Sequence, residues 1–235
     1  MSSYPFTAAD LEALRAWDTP TICNALELVV PERRGHGFTV RPMVAADVTL
    51  KPICGLARTG TLRAAAPSGR PAAEDHTIRT GWYEYVADAA MPTVVTLQDL
   101  DDTPGTGAFW GEVHSAVHKA LGAQGCVTNG SFRDIDALAP EFQIIGGVVN
   151  PSHAYVHLVA YRQDISIHGM NVNHDDVVHA DRHGAVVIPH HAVKKMLAAI
   201  DLGARREKVI LDLCASPDFS VEKLKAALTA SKEIH

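Results

Sequence analysis

Three charged residues at a defined spacing could bind an anion and a metal ion together. Glu112 opens a segment of helical character, and Arg133 and Asp134 follow a short β-prone run at residues 126–128 that ends at Gly130. An arginine guanidinium holds a carboxylate through two parallel hydrogen bonds, and an aspartate offers a hard oxygen ligand to a divalent cation. The pattern therefore predicts a site for an anionic ligand and a metal just beyond this strand.

The helix that is predicted to begin at Glu112 could contribute backbone groups to the same site. The N–H groups of Val113 and His114 fall in its first turn, where a helix provides no carbonyl partners for them. Unpaired N–H groups at a helix N-terminus attract anions. Glu112 would also be favourable there through the helix dipole alone. We therefore predict that Val113 and His114 help to bind an anionic ligand.

The elements that must position these residues are helices separated by short strands. Strands are predicted at residues 44–54, 56–66, 93–97, 126–128, 142–145, 156–161, 165–170 and 185–188. Helices are predicted near residues 8–17, 20–29, 76–90, 112–121, 193–200, 205–213 and 221–230, with another helix start after Asp134. Thr7 and Asp10 form a capping-box pattern ahead of the first helix, and the Pro/Gly/Ala-rich residues 67–73 predict a flexible loop.

The order of these elements predicts a compact, layered α/β domain. The 235 residues are enough to bury a substantial core. The strands and helices alternate without a βαβ period throughout, and no Pro/Gly/Ser-rich linker separates two cores. We therefore interpret residues 1–235 as one domain.

Composition excludes several classes of protein. The formal net charge is −6 and charged residues make up 20% of the chain, which is unlike a nucleic-acid-binding surface or a polybasic membrane patch. The N-terminal sequence lacks the features of a signal peptide, and no apolar run reaches transmembrane length. The four cysteines are scattered without a C-x-x-C motif, so we expect them to be reduced and the protein to be cytoplasmic.

Three blocks of sequence, taken together, resemble the RraA-like superfamily. The first is the spacing itself, in which an acidic residue, Glu112, precedes the Arg133-Asp134 pair by twenty intervening residues. Residues 177–189, VVHADRHGAVVIP, resemble the family's late VVADxxGVVVVP run. Residues 19–26, TPTICNAL, are similar to its Thr-x-x-x-x-Asp-Ala-Leu opening. Three blocks in this order are fairly specific for the superfamily and much less specific for a substrate.

The resemblance implies a fold and a reaction. Catalytic members of the superfamily are class II pyruvate aldolases that use Mg²⁺ or Mn²⁺. They cleave 4-hydroxy-4-methyl-2-oxoglutarate and 4-carboxy-4-hydroxy-2-oxoadipate, and they often decarboxylate oxaloacetate. The implied fold is a layered β/β/α sandwich. The implied substrate is a small 2-oxo acid whose C3–C4 bond is broken to give pyruvate.

The resemblance also assigns roles to residues of this chain. Asp134 is the implied metal ligand, and Glu112 holds a water at the metal that serves as the base. Arg133 pairs with the C1 carboxylate or the C2 oxygen of the substrate. The N–H groups of Val113 and His114 stabilise the enolate.

A further implied site residue comes from the C-terminal helices. The resemblance implies that these helices pack on a neighbouring subunit of a homotrimer or homohexamer. Glu207 would then reach the adjacent subunit's metal site. The alternative interpretation is a solvated charge, which the neighbouring Arg205, Arg206 and Lys208 make credible.

Other interpretations remain open at this point. Some relatives are non-catalytic regulators that bind a protein partner. The i,i+4 spacing of His114 and His118 also fits two ligands of a zinc hydrolase. His153 either lines the substrate pocket or belongs to a surface loop. The aldolases carry a basic, arginine-rich segment near residues 151–157 that this chain lacks, which leaves the identity of the 2-oxo acid open.

Overall fold

The computed structural model describes residues 4–235, which are organised around an eight-stranded mixed sheet. Its strands are β1 (Val44–Ala45), β2 (Ile53–Arg63), β3 (Thr93–Asp99), β5 (Ala123–Thr128), β7 (Gln143–Gly146), β9 (His157–Tyr161), β12 (Val177–Asp181) and β13 (Gly184–Ile188). The order is β1-β7-β5-β3-β2-β12-β13, and β9 pairs with the far end of β2. The central strands β2, β3, β5 and β7 are parallel, and the outer pairings are antiparallel.

Two smaller sheets complete the strands of the described region. The first consists of the parallel strands β4 (Ala108–Trp110), β6 (Ser131–Phe132) and β8 (Val148–Val149). The second is a hairpin of β10 (Ile165–Ile167) and β11 (Met170–Val172). His168 and Gly169 form its turn with φ of 47° and 88°, and two successive positive φ values are typical of a type I′ hairpin turn.

Six α-helices pack around the sheets in the described part of the chain. They are α1 (Ala8–Leu14), α2 (Thr19–Val29), α3 (Ala72–Ala87), α4 (Glu112–Ala120), α5 (Met196–Cys214) and α6 (Val221–Lys232). The predicted capping box of α1 is confirmed, because Thr7 Oγ1 accepts from the Asp10 N–H and the Asp10 carboxylate accepts from the Thr7 N–H. No helix between residues 4 and 235 is both long enough and apolar enough to cross a membrane.

The side chains of the large sheet alternate between two environments, as strand geometry requires. Val95 and Cys126 pack toward α3, β4 and β6, together with Trp82 and Phe132. The alternate residues, including Val94, belong to a separate cluster with the β10–β11 hairpin to which almost every strand of the large sheet contributes. The sheet is therefore nearly closed around one core, and α1, α2 and α5 form a third cluster outside it.

The strand that the sequence predicts at residues 44–54 is wrong over most of its length. Only Val44 and Ala45 are paired, and β2 begins at Ile53. Between them Asp47 accepts hydrogen bonds from the N–H and the hydroxyl of Thr49. This local Asx turn takes the chain out of extended conformation, so the predicted pair of strands becomes one long strand after a turn.

Four further element predictions are corrected. The two helices predicted at residues 193–200 and 205–213 are one helix, α5, after a short 3₁₀ turn. The helix start after Asp134 is a 3₁₀ turn of three residues. The single strand predicted at residues 165–170 is the β10–β11 hairpin. The end of the predicted loop at residues 67–73 already belongs to α3, and Arg70 fastens that loop to the carbonyl of Leu158.

Candidate functional site

The three-stranded parallel sheet brings the two halves of the predicted site together. Strand β4 leads through Gly111 into α4, which begins with Glu112. Strand β6 leads directly into Arg133 and Asp134. Because β4 and β6 are parallel, their carboxyl ends lie side by side, and the Arg133 N–H donates to the Trp110 carbonyl at 3.0 Å. The twenty residues between Glu112 and Arg133 thus contain the rest of α4, then β5, and finally β6, which brings the chain back beside the end of β4.

The carboxylate of Asp134 lies at the N-terminus of α4. Its Oδ2 accepts from the Glu112 N–H at 3.3 Å. Asp134 has a left-handed backbone conformation, with φ of 54° and ψ of 41°. A Cβ atom on Gly111 would lie 2.5 Å from the same carboxylate oxygen. The absence of a side chain at position 111 is therefore what admits the Asp134 carboxylate to this position.

The guanidinium of Arg133 keeps most of its hydrogen-bonding capacity. Its Nε lies 3.5 Å from Asp134 Oδ2, and its Nη1 donates to the Pro151 carbonyl over a long 3.4 Å. About a third of the side chain is exposed. A guanidinium carries five N–H donors, so Arg133 retains donors for a ligand while its neighbours fix its position.

One pocket of about 360 Å³ contains six of the seven predicted site residues. They are Glu112, Val113, His114, Arg133, Asp134 and His153. Glu112 and Val113 are exposed at its mouth, and Gly111, the N-cap of α4, has no side chain that could cap the first-turn N–H groups. The pocket thus combines a cation, two carboxylates and a helix N-terminus, which is a suitable set for an anionic ligand with a divalent metal.

Glu207, the seventh predicted residue, is not brought to this pocket within one chain. It is exposed on α5, and α5 packs against α2 and α6. The buried residues of α5 belong to the cluster with α1 and α2, whereas β4 and β6 belong to another cluster. A role for Glu207 at this site thus requires a second copy of the chain.

The alternative interpretation of His114 and His118 as two zinc ligands is wrong. His118 is fully buried, its Nε2 accepts from Trp82 Nε1 at 2.9 Å, and its Nδ1 donates to the His114 carbonyl at 2.7 Å. Both ring nitrogens are therefore used, and no lone pair remains for a metal. The His114 ring instead stacks on Phe109 with 4.1 Å between ring centroids. Within residues 4–235 no three His, Cys, Asp or Glu side chains are grouped so that they could hold a metal.

The buried histidines make stability depend on pH. Burial lowers the pKa of His118 to about 3 and that of His179 to about 4, whereas an unfolded histidine has a pKa near 6.5. Between these values the unfolded state binds more protons, so the free energy of unfolding falls as the pH drops from about 6.5 toward 4. Each histidine is expected to contribute roughly 3 kcal/mol to this loss. Urea denaturation at a series of pH values measures it.

The matched variant for this prediction is His118→Gln. The glutamine amide oxygen can still accept from Trp82 Nε1, but the side chain does not titrate. We expect the free energy of unfolding of this variant to fall less steeply below pH 6.5 than that of the wild type. Identical slopes for the two proteins would show that His118 does not carry the effect.

Two residues of a neighbouring pocket were missed by the sequence interpretation. His76 and Arg79 of α3 line a pocket adjoining the one just described, together with His157. They lie more than thirty residues before Glu112 in the sequence, and α3 carries no motif that marks them. The pattern of α3 indicated only a helix, so nothing in the sequence connected these side chains with the site.

Comparison with solved structures identifies relatives of the fold. An uncharacterized protein from Pseudomonas syringae pv. tomato str. DC3000 has 19% identity and a TM-score of 0.71, with 98% of this chain and 97% of that one covered. Streptomyces coelicolor RraAS2, described as an unusual member of the RNase ES inhibitor RraA protein family, has 21% identity and a TM-score of 0.64, with 88% and 96% covered. These similarities confirm the predicted α/β fold.

A third similar structure is described as one of the novel cellulases from microbes associated with the gut ecosystem. It has 17% identity and a TM-score of 0.69, with 88% of this chain and 89% of that one covered. At such identities the likeness concerns the fold alone. No curated protein matches the sequence.

The family itself is established by the sequence. The model of the RraA-like family, described as Aldolase/RraA, matches residues 19–187. The match includes all three blocks on which the predicted resemblance depends, except the last two residues of the block at 177–189. The chain belongs to the RraA-like family.

Proposed function

We propose that this protein is a divalent-metal-dependent lyase that cleaves the C3–C4 bond of a 4-hydroxy-2-oxo acid and releases pyruvate. The observation that carries the proposal is the meeting of Arg133, Asp134 and Glu112 in one pocket at the N-terminus of α4. A regulator that binds a protein surface has no need of a recessed cation beside two carboxylates. The family description, which includes aldolases, supports the same conclusion.

The residues at the pocket suit Mg²⁺ or Mn²⁺. Asp134 would hold the ion through its carboxylate, with Glu112 beside it, because such ions prefer hard oxygen ligands and keep several waters. The small number of protein ligands within one chain is consistent with that preference. When bound, the ion would supply Lewis-acid polarisation of the 2-oxo group of the substrate.

Protein groups account for the remaining steps. Arg133 binds the 1-carboxylate of the substrate through its unused donors. Glu112, which is exposed to solvent, receives the proton of the C4 hydroxyl through an intervening water. The C3–C4 bond then breaks, its electron pair passes to the C2 oxygen as an enolate, and a carbonyl product leaves. Protonation at C3 gives pyruvate.

The enolate is stabilised by donors that are already in position. The N–H groups of Val113 and His114 lie in the first turn of α4, where they lack helical partners, and they donate to the C2 oxygen as its charge develops. His153 lines the same pocket, and its Nδ1 donates to the Ala154 carbonyl at 2.8 Å. Decarboxylation of oxaloacetate would pass through the same enolate, so both activities would share this site.

The proposal extends to the oligomer. The α5–α6 hairpin leaves large apolar side chains exposed, among them Leu211 (64%), Val221 (56%) and Phe219 (47%). Exposed apolar groups on a terminal hairpin favour packing against another copy of the chain. We propose a homotrimer or homohexamer in which Glu207 reaches the pocket of the adjacent subunit.

A substrate panel tests the proposed function directly. The purified protein is incubated with 4-hydroxy-2-oxo acids and with oxaloacetate, with Mg²⁺ or Mn²⁺ or after chelation, and pyruvate is measured with a coupled assay. Metal-dependent pyruvate release from at least one 4-hydroxy-2-oxo acid is expected. Absence of pyruvate from the entire panel would refute the lyase and favour a regulator that binds a protein partner.

Substitution of Arg133 by lysine is expected to lower kcat/KM by roughly two orders of magnitude, comparable to loss of one preorganised oxyanion donor. An ammonium is a point charge and cannot reproduce the planar, two-pronged contact of a guanidinium with a carboxylate. Steady-state kinetics with the best substrate of the panel measures the effect. A change of less than about threefold would argue against direct contact with the substrate.

A further inference from the structure

Ser115 is a polar residue of α4 that lies beside the candidate site without reaching it. It is fully buried, and it does not line the pocket that contains Arg133 and Asp134. Its hydroxyl therefore cannot contact a ligand or a metal ion in that pocket. Any contribution of Ser115 to the site must pass through the residues to which this hydroxyl is hydrogen-bonded.

The Ser115 hydroxyl joins the two segments that carry the site. It donates to the Glu112 carbonyl at 2.8 Å and accepts from the Ala139 N–H at 2.9 Å. Glu112 begins α4, and Ala139 follows the 3₁₀ turn (Ile135–Ala137) that comes directly after Asp134. A hydroxyl has only one proton. Because the Ala139 N–H supplies the proton of its own bond, the hydroxyl proton is left for the Glu112 carbonyl.

A second hydrogen bond holds the other side of Glu112. The Glu112 N–H donates to Asp134 Oδ2 at 3.3 Å. The N–H and the carbonyl of Glu112 are therefore both tied to residues 134–139, the first directly and the second through Ser115. A residue has only two soft backbone dihedrals, and an attachment on each side restricts both. The first turn of α4 is thus fixed relative to the segment that carries Asp134.

The Glu112 carbonyl belongs to the same peptide group as the Val113 N–H. This group is planar and trans, so its C=O and its N–H point in opposite directions. Because Ser115 holds the carbonyl, the direction of the Val113 N–H is set as well. Within residues 4–235 that N–H has no acceptor of its own, and Val113 lines the pocket. The bond to the carbonyl also polarises the peptide group, which makes its N–H a better donor.

We propose that Ser115 is a positioning residue that holds the Glu112–Val113 peptide group so that the Val113 N–H meets the enolate oxygen as its charge develops. The inference rests on the proposed lyase function, because it names the residue that orients one of the donors of that site. A donor that is fixed in advance stabilises a developing charge without reorganisation. The contribution of Ser115 therefore falls on the enolate more than on the bound ketone, and on kcat more than on KM.

The variant Ser115→Ala tests the proposal, because it removes both hydrogen bonds and leaves every side chain of the pocket in place. Calorimetry with Mg²⁺ compares the binding of oxalate, which resembles the enolate of pyruvate in charge and shape, with the binding of pyruvate, which is the ketone. We expect the variant to bind oxalate about tenfold more weakly and pyruvate within about twofold of the wild type. In turnover, kcat should fall about tenfold while KM stays within about twofold.

Thr19→Val is the matched control for the loss of a buried hydroxyl. Thr19 is buried at the start of α2, outside the candidate pocket, and its hydroxyl is hydrogen-bonded to His179 Nδ1 at 3.0 Å. This variant should also have a lower melting temperature, but its kcat and its oxalate affinity should match the wild type.

Ser115→Cys is a conservative variant with a side chain of similar size. Its thiol is only a weak donor, so its oxalate affinity should lie between those of the wild type and Ser115→Ala. If Ser115→Ala does not fold, Ser115→Cys takes its place, with a smaller loss of oxalate affinity as the expected result.

The positioning role and the lyase can fail separately. If the wild type releases pyruvate but the Ser115 variants weaken oxalate and pyruvate equally, or weaken neither, the positioning role is refuted and the lyase stands. If the wild type binds oxalate but releases no pyruvate from any substrate, the lyase falls, and the comparison of oxalate with pyruvate alone decides the role of Ser115. If the wild type neither releases pyruvate nor binds oxalate, both proposals fall.

Discussion

Replacement of Asp134 by alanine is expected to abolish metal-dependent pyruvate release while the protein remains folded. The carboxylate is the main hard oxygen ligand that this chain offers in the pocket, and without it only water and substrate would hold the ion. Lewis-acid stabilisation is worth several kcal/mol, so the expected loss in kcat/KM is about three orders of magnitude or more. Pyruvate release and calorimetric Mn²⁺ binding should fall together.

A second variant, Asp134→Asn, separates the loss of the metal ligand from the effect of backbone strain at position 134. Alanine at position 134 would be strained at φ of 54°, by about 1–2 kcal/mol, and would no longer accept from the Glu112 N–H. Asparagine tolerates left-handed conformations and keeps an oxygen for that N–H. Asp134→Asn should therefore preserve the melting temperature while it removes the negative ligand.

The control for both variants is Asp136→Asn. Asp136 is an exposed acid two residues farther along the same 3₁₀ turn, so its replacement changes the net charge equally. Activity of this variant should match the wild type. Near-wild-type turnover by Asp134→Asn at limiting metal would show that Asp134 does not hold the ion, and the lyase proposal would then lose its central residue.

The grouping of the charged residues was predictable because it depends on local order. A helix start at Glu112, a strand ending before Arg133 and the short distance between them leave few ways to arrange the chain. The parallel pairing of β4 with β6 then sets the two strand ends side by side. What the sequence could not indicate is that Gly111 makes room for the Asp134 carboxylate. That depends on how closely two segments pack, since a Cβ atom on residue 111 would lie 2.5 Å from Asp134 Oδ2.

Burial determines that His114 and His118 pack in the core and do not bind a metal. The spacing of residues in a sequence does not show burial. His114 and His118 are separated by one helical turn whether they bind zinc or pack in a core. The indole of Trp82, which engages His118 Nε2, comes from α3, thirty-six residues earlier. Arg79 was missed for another reason, because its place in the lining of the adjoining pocket depends on how α3 packs against β9.

Some predicted element boundaries were wrong because tertiary contacts outweighed local conformational preference. Two C-terminal helices were predicted on either side of Gly203, and glycine costs about 1 kcal/mol in a helix interior. Packing of α5 against α2 and α6 stabilises a continuous helix in spite of that cost. In residues 44–54 the opposite occurred, because a local turn at Asp47 prevailed over an alternating pattern.

The neighbours of Glu207 on α5 support its proposed role at an adjacent subunit. The basic residues around it are engaged elsewhere: Arg205 pairs with Asp201, Lys208 pairs with Asp212, and Arg206 donates to the Ile234 carbonyl. Within the described chain Glu207 has no ion pair of its own. An acid left free among paired cations on an exposed helix is available to a neighbouring subunit, which is what the proposed trans contact requires.

Mixing of two inactive variants tests that contact. Arg133→Ala and Glu207→Ala should each be nearly inactive alone, because every pocket then lacks one of the two residues. After the two are unfolded and refolded together in equal amounts, about one quarter of the pockets should combine an intact Arg133 with the intact Glu207 of an adjacent subunit. Pyruvate release should recover in proportion.

Glu222→Ala is the matched control, since Glu222 is another exposed acid on the same terminal hairpin. Mixing of Arg133→Ala with Glu222→Ala should leave only the activity that Glu222→Ala contributes itself, which should equal the wild type per active chain. Subunit exchange is verified with two differently tagged chains. Full activity of Glu207→Ala alone, or no recovery after verified exchange, would mean that Glu207 is a solvated charge and that each pocket is complete within its own chain.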